Sequence, residues 1–434
     1  MAAAVRATQS GHRVTLFEMA GHLGGRARGV TVGTRELDNG QHILIGAYTR
    51  TLDLMRSIGV DPETVLHRQP LTLRYPDGRG LQMRSGHPVL AFVRAVAQCR
   101  GWGWRDRSAL LTAAGHWAAA GFRCAPGTTV AELCAGLTPA VREILIDPLC
   151  VAALNTPAQD ASAQVLLTVL KDALFSGRGS ADLLLPRRPL DALLPHPAHA
   201  WLQARGAQLR FNRRVQKLQA QDDGGWKVDG DPFDQVLLAC SAAEAARLAE
   251  AHAPAWAPRA QALAYEPIVT VYLQCPGAKL PSAMTALVEG TQAPAQFAFD
   301  HGALGASPGV FAFVISGARR WAEAGAEVTA RAVLQQARSA FAAGTWPTPP
   351  VLLKVLVEKR ATFRCTPALD RPPMHLMPGL LAAGDYIEGP YPATLEGAVR
   401  SGEAAVVLMD AASRNPPSRP SQAPVPPTVA TGSS

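Results

Sequence analysis

The sequence predicts an α/β fold, and three stretches of its 434 residues carry that prediction. At the start, residues 2–8 have the pattern of the back half of a helix and Gly11 stops it. Val14, Thr15, Leu16 and Phe17 follow as a short buried strand ending in Glu18. Between residues 207 and 239 the pattern changes to short strands, with a turn at 222–225 and an apolar run at 235–239. Near the other end, residues 380–383 read as a strand running into Gly384 and Asp385, and residues 393–411 read as a helix. A helix, a turn, a strand and an acid make the second half of a βαβ unit, and the three stretches are expected to assemble one domain.

The remaining elements follow in chain order. In a dinucleotide-binding βαβ unit, a strand and a G-x-G-x-x-G turn precede the acid by about 20 residues. Glu18 has seventeen residues before it, so that strand and turn are expected upstream of Met1 or not at all. Gly21, Gly24, Gly25, Arg26, Ala27 and Arg28 read as a glycine loop entering a hairpin whose alternation reaches Asp38. The segment DNGQHILIGAY (38–48) leads into a helix through Leu52, Leu54, Met55 and Ile58, closed by Gly59. Residues 81–122 are largely helical in pattern and carry Trp102, Trp104 and Trp117. Helical patterns continue over 129–200, broken by Pro148, Pro157, Pro186 and Pro189. Strands are expected at 208–211, 215–220, 226–228, 269–273, 296–299 and 310–315, and a helix at 320–342. From Ser413 the chain is rich in Pro and Ser and is expected to be disordered.

Composition bounds the function. Apolar residues make up 48% and charged residues 18%, with 38 Gly and 35 Pro, as in a loop-rich globular protein. Single cores stop growing at roughly 250–300 residues, so two or three units are expected. The 42 Lys and Arg exceed the 34 Asp and Glu by eight. Six arginines between 79 and 107 face one acid, Asp106, beside the tryptophans: a membrane-surface patch and a solvated helical face both fit. No nucleic-acid partner is expected. Seven scattered cysteines without CxxC fit reduced thiols in the cytoplasm, and eleven histidines without HExxH point to no metal. No run approaches 18 apolar residues, and residues 1–10 lack the apolar core of a secretory signal.

Two constellations carry chemistry. A strand-final acid such as Glu18 accepts hydrogen bonds from ribose hydroxyls in dinucleotide folds. Followed by Gly24, Gly25 and Arg26 it is more specific, because a glycine pair lets backbone approach a pyrophosphate and guanidinium offers a forked charge partner. A plain loop is the alternative. In LLAAGDYIEGPYPATLEGAVRSG (380–402), Pro392 is placed to open a helix with Ala393, Gly397 and Ser401 on one face. Free N–H groups at Ala393, Thr394 and Leu395 would present positive potential to an anion.

Glu18, the GGRAR loop and the terminal GD with PATLEGAVRSG together resemble the flavin-containing amine oxidase and carotenoid (phytoene) desaturase superfamily. More narrowly, DNGQHILIGAY, EKRATF (358–363) and PATLEGAVRSG resemble the bacterial hydroxysqualene dehydroxylases of hopanoid synthesis, over residues 2–408. The resemblance implies an α/β fold: a GR2-type Rossmann-like FAD-binding domain, its first strand and glycine turn missing here, with a mixed α+β substrate domain. It divides the chain into an FAD-binding domain (1–71, 195–266 and 358–412) and a substrate- and membrane-facing domain (72–194 and 267–357), with a disordered tail at 413–434.

For FAD the resemblance implies Glu18 on the adenosine ribose and Gly24, Gly25 and Arg26 along the pyrophosphate and flavin. It puts the Val215 backbone on the adenine, Gly384 and Asp385 on the pyrophosphate and ribityl chain, and Thr394 near the flavin ring. His42 would lie close to the isoalloxazine as a proton donor, or be a buried structural histidine. Glu388 and Tyr386 would be acids for a departing hydroxyl, or solvated loop groups. The implied reaction is reductive removal of the hydroxyl of hydroxysqualene to give squalene. An oxidative isoprenoid desaturase, and a flavin-free lipid-binding protein should the glycine turn be absent, stand as alternatives. The implied partners are the isoprenoid lipid, a membrane surface and squalene/phytoene-synthase-like enzymes, and the implied location is cytoplasmic, peripheral on the inner face of the cell membrane.

Overall fold

The structure, a computed structural model, describes residues 1–414. Helix α1 (Ala2–Gln9) turns at Gly11, whose φ of +88° suits glycine, into strand β1 (Thr15–Phe17). The hairpin β2 (Gly29–Val32) and β3 (Arg35–Asp38) follows the glycine loop, and α2 (Thr49–Ser57) follows DNGQHILIGAY. A helical region contains α3 (Pro88–Gln98), α4 (Trp104–Ala119), α5 (Asp147–Leu154) and α6 (Ala163–Phe175). The chain returns through β4 (Gln208–Arg210), β5 (Val236–Leu238) and α7 (Ala242–Ala249). Next come β6 (Tyr265–Gln274), β7 (Met284–Ala286), β8 (Phe297–Asp300), β9 (Val310–Ile315), α8 (Ala326–Ala340) and β10 (Val351–Phe363). Strands β11 (His375–Met377) and β12 (Leu380–Ala382) and helix α9 (Leu395–Arg414) complete the described chain.

Distant segments meet in parallel pairs. Strand β1 lies beside β4, Thr15 opposite Gln208 and Phe17 opposite Arg210, and β5 lies beside β12, Val236 opposite Leu380 and Leu238 opposite Ala382. Glu18 and the Gly384–Asp385 turn therefore both sit at the carboxyl ends of parallel strands, where α/β sheets hold ligands. Among the described strands, β1 pairs only with β4, and β5 only with β12. Helix α9 packs on α1 and α2, and Gly402 permits the approach: a Cβ there would stand 3.1 Å from the Ala3 nitrogen.

A five-stranded sheet of order β7-β8-β9-β6-β10 forms the second unit, antiparallel throughout. Val269, Val271, Leu273, Phe311 and Phe313 bury one face against Val333 and Ala337 of α8. Phe297, Phe299 and Val314 turn to the opposite core, as period-two alternation requires. Strands β6 and β10 run across positions 266/267 and 357/358, so the expected domain cuts fall inside strands.

Four local expectations change. The helix read at 320–342 is two helices, Arg319–Ala324 and α8, separated by Gly325 at φ +91°. The strand read from residue 215 begins only at Leu218. Arg247 takes the carbonyls of Val215 and Gln216 and Asp229 takes the N–H groups of Gln216 and Lys217, diverting that backbone from a ladder. Residues 351–357, read as the end of a mixed segment, belong to the thirteen-residue β10. Helix α9 starts at Leu395 and runs to Arg414; the tail expected to be disordered lies, from residue 415 on, outside the described residues.

Candidate active site

A cavity of about 1840 Å³ runs between the two units. Its lining includes the polar or charged Glu18, Glu244, Arg26 and Asp385, the glycines Gly24, Gly25 and Gly384, Val215, His42 and Thr394, and the apolar Ile268, Phe297, Phe299 and Val314. A cavity of this size with both polar and apolar walls suits an extended cofactor together with an apolar substrate.

The β1–β4 register fixes Glu18, whose N–H donates to the Arg210 carbonyl (2.9 Å), while its Oε1 accepts from Ala20 N (2.8 Å). In the glycine loop, Gly24 (φ +96°) closes a turn in which a Cβ would lie 2.4 Å from the Ala27 oxygen. Gly25 (φ +57°) has open space where its Cβ would be. This is a backbone that a ligand can approach closely.

Arg26 is fixed by an ion pair. Its Nη2 donates to both Asp385 oxygens at 2.7 Å and its Nη1 to the Ala361 carbonyl, so the fork clamps the glycine loop to the turn after β12 and to β10. Arg26 and Asp385 thus hold each other, and both line the cavity where the resemblance sets them along the pyrophosphate and ribityl chain. Gly384 has no room for a side chain, because a Cβ would sit 2.7 Å from the Tyr386 ring, and its N–H donates to Ser401 Oγ (3.1 Å).

Thr394 is the cap of α9: its Oγ1 accepts from Gly397 N (3.1 Å) and its carbonyl from Ala398 N (3.1 Å). The positive helix end therefore opens at Leu395, two residues after the expected start, and Thr394 and Leu395 line the cavity. The Val215 backbone, expected on the adenine, lines the cavity with its carbonyl accepting from Arg247. Arg247 is held by Glu244, which also pairs with Arg214 and whose hydrogen bonds to the two arginines bring its pKa down to about 2.

Of the two roles expected for His42, proton donor and buried structural histidine, the geometry favours the second. Its Nδ1 lies 2.6 Å from the Gly40 carbonyl, which assigns the ring hydrogen to Nδ1. Burial, and then the Arg26 charge, hold its pKa below the ordinary 6.5. Neutral at pH 7 with Nδ1–H engaged, it offers Nε2 as an acceptor and has no proton to give there. Glu388 is exposed and lies outside the cavity lining, so it is not the acid for a reaction inside. Tyr386 is buried with its hydroxyl unpartnered among the described residues, and burial pushes its phenol well above the usual range.

Two positioning groups had gone unread. Glu396, fully buried, accepts from Arg50 N (3.1 Å), Thr51 N (2.9 Å), Thr51 Oγ1 (2.8 Å) and Arg400 Nε (2.7 Å), and so caps α2 from α9. Arg371 donates to the carbonyls of Asp385, Tyr386, Ile387, Gly389 and Tyr391, shaping the loop that follows β12.

The sequence model of the flavin containing amine oxidoreductase family matches residues 1–409. The chain belongs to this family. It is therefore an FAD-dependent oxidoreductase, and the cavity fits that cofactor: an acid at a strand end, an approachable glycine loop and a positive helix end all line it. Two bacterial relatives are named hydroxysqualene dehydroxylase. One, from Sinorhizobium fredii, is 27% identical over 94% of this chain and 95% of its own. The other, from Rhodopseudomonas palustris, is 28% identical over 95% of this chain and 96% of its own. An oxidoreductase structure from Methanosarcina mazei shares the fold at a TM-score of 0.69 and 15% identity, over 94% of this chain and 97% of that one. No described helix is long and apolar enough to cross a membrane.

Proposed function

We propose that this chain removes the hydroxyl of hydroxysqualene reductively, giving squalene. The observation that carries the reading is similarity to dehydroxylases over nearly the whole length of both chains. The cavity is consistent with it, since its walls include Ile43, Ile268, Phe297, Phe299 and Val314, which suit an isoprenoid chain. Bound FAD in its reduced form supplies the hydride. The chain's own groups orient the cofactor through the Arg26–Asp385 clamp and α9, exclude water from the apolar walls, and accept a hydrogen bond at His42 Nε2. The test is product analysis with two mixtures: hydroxysqualene with reduced FAD, and squalene or phytoene with an oxidant. Squalene is expected from the first alone; polyenes from the second, with hydroxysqualene untouched, would replace this reading with a desaturase.

The reading includes coupling to a squalene/phytoene-synthase-like enzyme that supplies the substrate, and peripheral attachment to the inner face of the cell membrane. Helices α3, α4 and α6 pack together and expose Leu90, Val93, Trp104 and Phe175, with Arg94, Arg100 and Arg105 exposed beside them. Arg107, counted with this patch in the sequence, donates to the Cys99 carbonyl. Exposed apolar groups ringed by arginine match an anionic bilayer. Replacing Arg94, Arg100 and Arg105 by Gln is expected to weaken binding to phosphatidylserine vesicles by about 1 kcal/mol per arginine. Unchanged co-sedimentation would make the patch an ordinary solvated face.

A further inference from the structure

We propose that Glu358 is the acid that protonates the departing hydroxyl, an inference that rests on the dehydroxylase reading. Among the described residues six carboxylates line the cavity: Glu18, Asp223, Asp234, Glu244, Asp385 and Glu358. Glu18 stands at the end of β1, and Glu244 is locked to Arg214 and Arg247 beside Val215. Asp223 caps its own turn at Gly225 N, and Asp234 precedes β5. Asp385 has both oxygens on Arg26. Glu358 alone stands on the five-stranded sheet, on β10 opposite the cavity-lining Ile268 of β6; it forms no ion pair among the described residues, and the charge facing it is the Arg26 guanidinium held by Asp385.

Its orientation is fixed. Oε2 accepts from Asn39 Nδ2 (3.0 Å) and Oε1 from Arg360 N (3.2 Å), which leaves the carboxyl room for a proton. The first of these bonds joins DNGQHILIGAY to EKRATF, two motifs that stand far apart in the sequence. The other candidates are poorer proton donors: His42 is neutral with its hydrogen on Gly40, and burial pushes the phenols of Tyr265 and Tyr386 up. In the step, the carboxyl proton passes to the hydroxyl oxygen and the C–O bond breaks with its electron pair on oxygen, so that water leaves. The carbon takes a hydride from two-electron-reduced FAD, and solvent returns a proton to Glu358.

The experiment compares the FAD-loaded wild type with Glu358→Gln, reading flavin absorbance, hydroxysqualene turnover and its pH profile. Unchanged flavin content with a rate at least about 100-fold lower is expected. The fall of wild-type activity toward high pH should be absent from the residual activity of the variant. Equal rates in the two proteins would overturn the proposal, and so would loss of flavin with the rate, which would make Glu358 part of the cofactor's support. A wild type that leaves hydroxysqualene unchanged would instead overturn the dehydroxylase reading beneath it.

Discussion

Glu396→Ala is expected to cost about 3–5 kcal/mol of stability, because four donors converge on its fully buried carboxylate and three of them, two backbone N–H groups and the Thr51 hydroxyl, lose their acceptor. Two of those donors are backbone N–H groups in the first turn of α2, which have no intrahelical acceptor. Arg400 loses its anion at the same time. Because Glu396 lies in the first turn of α9, the change should also loosen the helix end that lines the cavity. Denaturant unfolding followed by tryptophan fluorescence measures the effect, and Glu396→Gln should recover part of it, since the amide oxygen still accepts. A loss below about 1 kcal/mol would show that the carboxylate does little beyond filling space.

Arg371→Lys should weaken FAD binding by at least about tenfold although Arg371 is not expected to touch the cofactor. Its guanidinium donates to five carbonyls between Asp385 and Tyr391 and lies over the Phe363 ring. Lysine has three donors on a point charge, so at least two carbonyls lose their partner, at about 1–1.5 kcal/mol each. The loop that holds Gly384 and Asp385 would then relax. Titration with FAD, together with proteolysis of residues 384–391, reports both consequences; undiminished affinity with an intact loop would assign Arg371 to stability elsewhere.

What the sequence displayed was local. The run from Thr15 to Glu18, the GGR loop and the strand into Gly384 were legible because periodicity, glycine and a strand-final acid are each encoded within a few residues. Pairings such as Arg26 with Asp385, or Asn39 with Glu358, were not legible, since they join residues more than 300 positions apart and nothing in either neighbourhood names the other. Arg26 shows the consequence: its charge suggests a phosphate, and the fold adds a carboxylate partner that the sequence does not display. Thr394, expected near the flavin ring, lines the cavity, and it is also the cap of α9, accepting from the Gly397 N–H. His42 has two readings in the sequence, a proton donor, because an unperturbed imidazole titrates near neutrality, and a buried structural histidine. Burial and the Gly40 carbonyl, both tertiary features, favour the second.

The central claim is that reduced FAD in this cavity delivers its electrons to an allylic alcohol, and single-turnover mixing without oxygen tests it most directly. The FAD-loaded protein is reduced chemically, freed of excess reductant and mixed with hydroxysqualene while flavin absorbance and extracted lipid are followed. Oxidised absorbance should return with one squalene formed per flavin. A flavin that stays reduced over unchanged hydroxysqualene, or one that in its oxidised form is bleached by squalene or phytoene, would contradict the account.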